Sequence, residues 1–98
     1  MDLSIDKVDI NILYLLYINK NVSPLYSVQL SEIEEYIERT LSYSSVVRRT
    51  LKLLELGYLI EGYKVRRAQT FYLSEKGISF INENIISKEN NIYNESED

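Results

Sequence analysis

The stretch Thr40–Gly57, T-L-S-Y-S-S-V-V-R-R-T-L-K-L-L-E-L-G, constrains this chain more than any other, because it reads as a helix with marked ends and two unlike faces. Ser42 is placed to cap it, since a serine oxygen accepts one of the unpaired amide hydrogens of a first turn, and Gly57 suits the left-handed residue that ends one. Val47, Leu51 and Leu54 recur at spacings of four and three, which predicts a stripe packed on a core. Ser45, Arg48, Arg49 and Lys52 recur on the other side. Small hydroxyl residues in the first turn, followed by three cations with no carboxylate before Glu55, suit a helix whose N-terminal half reads base edges while its flanks touch phosphates. A solvated amphipathic helix has the same pattern, so the helix alone does not decide between them.

Charge along the chain separates the two readings further. The net charge is −4 over 98 residues. From Arg39 to Lys76, however, eight Lys or Arg stand against three Glu, a net of +5, and the remainder carries three cations and twelve acids, a net of −9. Local potential, rather than total charge, steers a polyanion to a surface. With no cysteine and no histidine, disulfides, the usual zinc sites and histidine-based triads are excluded, and neither a metal nor a cofactor is expected. Paired carboxylates such as Glu34 and Glu38 have no pocket motif or base beside them, so an enzyme is not expected. The longest apolar run, Ile12 to Ile18, is too short to span a membrane, and a soluble, cytoplasmic, DNA-associated protein is expected.

Around the basic helix the chain divides into short elements. Ser4 is the expected cap of a first helix over about Ile5–Ile18, apolar on nearly every face and therefore buried on more than one side. After Asn19–Ser27, a short strand is expected over Ser27–Leu30. Ser31 and Glu34 match a capping box for a second helix with Leu30, Ile33 and Ile37 inward, ending near Arg39. The turn Thr40–Ser42 would then join two helices into a helix-turn-helix unit. Beyond Gly57 the period drops toward two: Tyr58–Val65 and Gln69–Leu73 read as strands joined by Arg66-Arg67-Ala68, with Phe71 and Leu73 on one face. Lys64, Arg66 and Arg67 form a basic tip. Ser74 caps a last helix with Ile78, Ile81 and Ile85 as its stripe. Residues 1–86 are expected to form one domain, and 87–98, polar and acidic, a disordered tail.

This order is α+β, mainly helical with a two- or three-stranded wing sheet, and resembles the winged helix-turn-helix family. The runs L-K-L-L-E-L-G-Y-L-I and Y-K-V-R-R-A-Q-T-F-Y-L-S-E-K-G resemble the recognition-helix end, wing and last-helix start of PadR-like and MarR-like DNA-binding proteins. The resemblance implies a recognition helix with Ser42, Tyr43, Ser44, Ser45, Arg48 and Arg49 toward the major groove of double-stranded DNA and Lys52 toward its backbone. It implies a wing in which Lys64, Arg66, Arg67 and Gln69 meet the adjacent minor groove or phosphates. Family members are usually dimers whose recognition helices enter successive major grooves about 34–36 Å apart, and the first and last helices are the candidate dimer surfaces. Two jobs fit: a transcriptional regulator, or a plasmid or viral partition-site adaptor similar to TubR and AspA, which bind centromere repeats and recruit segregation machinery. A winged helix used only for contact with a partner protein is the alternative, supported by the acid-rich second helix.

Overall fold

The computed structural model describes residues 4–86, so the expected tail over 87–98 lies outside the described residues. Helix α1 spans Lys7–Ile18 and begins two residues later than Ser4 would place it. The cap is Asp6, whose carboxylate accepts the Asp9 amide at 2.9 Å while the Asp9 carboxylate accepts the Asp6 amide at 3.2 Å. This reciprocal pair satisfies two amides that a lone serine would leave half served. Ile12, Leu13 and Leu16 of α1 are fully buried. As its apolar surround requires, α1 is packed by several partners: helix α2 (Leu30–Tyr36), strand β3 (Thr70–Leu73) and helix α4 (Glu75–Ile81).

The second helix, by contrast, starts early. Its first-turn Glu32 accepts the Gln29 amide at 2.8 Å, so the capping pair sits two residues before Ser31 and Glu34. It stops at Tyr36 rather than near Arg39, because Glu38 and Arg39 take left-handed backbone, with φ of 55° and 56°. The connection to helix α3 (Tyr43–Glu55) is therefore Ile37–Ser42, longer than the three-residue turn the sequence suggests.

The ends of α3 are as expected. Ser42 accepts the Ser45 amide at 3.2 Å, and Gly57 has φ of 86°. Tyr58 donates to Leu53 at 3.0 Å and Gly57 to Leu54 at 3.1 Å, the two bonds of a Schellman ending. The helix's rotation is not as expected: Val46, Thr50 and Leu53 are buried, Val47 and Leu54 half-buried, and Leu51 exposed at 44%. The inward stripe is thus displaced by one residue from Val47-Leu51-Leu54.

Strand β1 (Val28–Gln29) and strand β2 (Leu59–Glu61) flank β3 in an antiparallel sheet of order β1-β3-β2, with Val28 opposite Phe71 and Leu59 opposite Leu73. Phe71 and Leu73 share the buried face, as their alternation predicts. Gly62 follows β2, and a Cβ there would stand 2.4 Å from the Ser27 hydroxyl. The close crossing of the β1 approach over the hairpin needs glycine at that point. Ser74 caps α4, accepting the Gly77 amide at 3.0 Å and donating to the Gly57 carbonyl at 2.5 Å. Lys76 donates to the Leu56 carbonyl at 2.7 Å, so the first turn of α4 closes the C-terminus of α3. In α4 Ile81 is buried and Ile78 half-buried, and a π-helical turn, Asn82–Ile86, follows. Among the described residues no helix is long and apolar enough to cross a membrane.

Candidate nucleic-acid interface

Two convex elements carry the expected site residues, and the fold treats their charges differently. On α3, Tyr43, Ser44 and Arg48 are exposed, and Ser45 is half-buried because its amide is turned to the Ser42 cap. Ser42 Oγ lies 3.3 Å from Ser44 Oγ, so these hydroxyls form a small polar cluster at the helix start. Among the described residues Arg48 has no ion-pair or side-chain hydrogen-bond partner. Arg49, which the resemblance places toward the major groove, and Lys52, which it places toward the DNA backbone, are instead turned to α1. Arg49 Nη1 lies 2.7 Å from Asp6 Oδ1, 2.8 Å from Asp6 Oδ2 and 3.0 Å from Asp9 Oδ1. The Lys52 ammonium pairs with the other oxygen of Asp9 and donates to the Ser4 carbonyl at 3.0 Å.

This ion cluster sits in the seam between α1 and α3. Asp9 is fully buried and the side chains of Arg49 and Lys52 are each 16% exposed, while that of Asp6 is 54% exposed. Two carboxylates against two cations leave the seam neutral, which is the condition for charges to tolerate burial. The Arg49 hydrogen bond, aided by the Asp9 amide, holds the Asp6 carboxyl down at about 2. The Asp6 carboxylate likewise raises the Arg49 pKa, so its charge is permanent. The sequence signal for this seam is Asp6 and Asp9, the N-cap and third residue of α1, whose spacing sets both carboxylates at one side of the helix start where cations can meet them.

The wing differs at every point. Val65 and Ala68 exchange backbone bonds of 3.1 and 2.9 Å across a two-residue turn formed by Arg66 and Arg67. Both arginines are left-handed, with φ of 50° and 72°, the conformation that two-residue hairpins prefer and that Asn-Gly ordinarily supplies. Lys64, Arg66 and Arg67 are exposed and, among the described residues, none has a side-chain partner. Gln69, the remaining wing residue, donates to Glu61 at 3.0 Å, so its amide is committed to the strand below the tip. Arg39, exposed and left-handed at the α2–α3 turn, is a further cation without a side-chain partner among the described residues and lies outside the sites expected from the sequence. Among the described residues, exposed cations without an ion pair therefore stand on Arg48, the wing tip and Arg39, as well as on Lys7 and Lys20 at the two ends of α1.

Comparison with known proteins found no match among protein-family models and none among curated proteins. Solved structures do match. TubR from Bacillus megaterium pBM400 aligns with a TM-score of 0.73 at 20% identity, covering 84% of this chain and 88% of that one. The DNA-binding TubR fragment from Clostridium botulinum, a solution structure, aligns with a TM-score of 0.67 at 31% identity, covering 82% of this chain and 96% of the fragment. The first likeness establishes the winged-helix fold, and the second adds sequence identity across nearly the whole of the matched fragment.

Proposed function

The chain belongs to the TubR family, and on that premise we propose that it is a sequence-specific double-stranded DNA-binding protein that acts as a partition-site adaptor. The observation that carries this reading is the contrast in charge pairing. The fold neutralises Arg49 and Lys52, yet leaves Arg48 on α3 and the three wing cations exposed and without a side-chain partner among the described residues. Exposed, unpaired Arg and Lys cost nothing in desolvation and are free to displace counterions from phosphates. Tyr43, Ser44 and Arg48 would enter the major groove from the N-terminal half of α3, with Ser42 and Ser45 shaping that end. Lys64, Arg66 and Arg67 would lie on the adjacent backbone or in the minor groove. The protein would work as a homodimer joined through α1 and α4, whose half-buried Tyr14, Tyr17, Ile78 and Phe80 leave apolar edges at the surface. A protein of the segregation machinery would be its second partner.

A nuclease footprint over the DNA flanking its own gene tests the reading. Protection that spreads over tandem repeats with rising concentration is the outcome expected of an adaptor. Protection confined to one inverted repeat would instead make the protein a transcriptional regulator. No protection by folded protein would move the assignment to a protein-contact module. If a dimer neutralises about six to ten phosphates, affinity falls by roughly 10³–10⁵ between 50 and 200 mM salt. Arg48→Ala should cost about 1–3 kcal/mol of discrimination between sequences.

A further inference from the structure

Successive residues of a helix are about 100° apart, so Arg48 and Arg49 cannot both face a groove squarely, and the roll of α3 about its axis decides which one does. Apolar packing alone does not single out the roll observed. It buries Val46 and Leu53, but also Thr50, whose hydroxyl finds no hydrogen-bond partner among the described residues, and leaves Leu51 44% exposed. A roll of one residue would bury Val47, Leu51 and Leu54, an all-apolar stripe, while drawing Val46 and Leu53, both fully buried here, away from the core, and would turn Arg49 away from α1. Burying an unpaired hydroxyl and exposing a leucine both disfavour the observed roll. Apolar packing thus leaves the choice of roll close, and among the described residues the carboxylates of Asp6 and Asp9 are arranged to make it. Both are anchored in the capping box of α1, and together they hold Arg49 and Lys52 through four side-chain contacts of hydrogen-bond length.

We propose that Asp6 and Asp9 are positioning residues of the DNA interface: by gripping Arg49 and Lys52 they set the roll of α3, so that Arg48 alone of the three helix cations meets DNA. The proposal rests on the DNA-binding reading for its last clause only, because the roll itself is a property of the free protein. Arg49 and Lys52 contribute to binding through orientation and neutralise no phosphate. The acids select which face is read without touching the nucleic acid.

The chain has no cysteine, so a thiol placed by Thr50→Cys or Leu51→Cys reports the roll directly through its labelling rate. In the parent protein position 50 should be protected and position 51 reactive. With Asp6→Asn and Asp9→Asn together, position 50 should react faster and position 51 more slowly, each on the order of tenfold. Unchanged rates, or loss of protection at both positions in folded protein, would overturn the proposal, since the ions would then not choose the roll. If the double variant loses its fold, Asp6→Asn alone serves, because Asp9 remains paired; the same opposed shifts support the proposal and their absence sinks it. Salt titration of DNA binding supplies the second arm. Arg48→Gln should lower the preference for specific over random DNA by roughly ten- to a hundredfold, whereas Arg49→Gln should leave the slope of log affinity against log salt unchanged while weakening binding. A reduced slope for Arg49→Gln would place that arginine on a phosphate and overturn the proposal. Failure of every variant and of the parent to bind DNA, with the labelling pattern intact, would overturn the functional reading and leave the roll assignment standing.

Discussion

The α1–α3 seam and the wing tip hold similar numbers of cations and put them to opposite uses. In the seam, Arg49 and Lys52 are three-quarters or more hidden and each is matched by a carboxylate. At the tip, Arg66 and Arg67 are exposed, unmatched and held in a backbone conformation that arginine disfavours. Left-handed backbone costs roughly 1–2 kcal/mol per non-glycine residue, so the tip keeps its charge at some expense to stability. The seam does the reverse: its charges contribute to how the molecule is held together and are withdrawn from solvent. Basic residues within one short segment of sequence are thus divided by tertiary structure into a structural pair and a surface pair.

The largest effect that would break this comparison is in the seam. Asp9→Ala leaves two cations in a low-dielectric site without their shared partner, a loss of about 3–5 kcal/mol. In a domain of this size that lowers the melting temperature by roughly 15 °C or more in a thermal melt. A small change would mean that the seam charges are already solvated. Next in size, Arg66→Ala with Arg67→Ala should weaken binding to specific and random DNA alike by about tenfold or more, and reduce the salt slope by about two per protomer. The melting temperature should not fall. A loss confined to one sequence would show the tip reading bases rather than phosphates.

A smaller and opposite effect separates the shape of the wing from its charge. Arg66→Asn with Arg67→Gly installs the residues that a two-residue hairpin turn favours, and should stabilise the protein by about 1–2 kcal/mol in denaturant titration while binding weakens as in the alanine pair. A protein that gains no stability would show that the turn is unstrained. The smallest effect is a response to acid. The Asp6 carboxyl is held at about 2 against an ordinary 3.8, so its contribution to stability is present above about pH 4 and is lost as pH falls from about 4 to about 2. Because the group is more than half exposed, solvent screening holds that contribution below about 1 kcal/mol. Asp6→Asn should flatten the acid limb of the stability profile by that amount, and an unaltered limb would show that other carboxylates carry it.

What could be read from the sequence about this protein was local. Ser42, Gly57 and Ser74 mark helix ends because each acts on amides or carbonyls a few residues away, and all three do so in the structure. The alternation of Phe71 and Leu73 assigned one face of β3, because a strand has only two faces. Tertiary structure decided the rest. The early stop of α2 depends on Glu38 and Arg39 adopting left-handed backbone, which neither residue type advertises. The wing turn closes on two arginines where composition offered no Asn-Gly. Above all, the roll of α3 was not fixed locally: Val46-Thr50-Leu53 and Val47-Leu51-Leu54 have the same period, and either roll leaves apolar side chains of the helix outside the core. The choice between them was made by Asp6 and Asp9, some forty residues away in the chain. A pairing of that kind is a contact between elements rather than a property of either, so it exists only once the chain has folded.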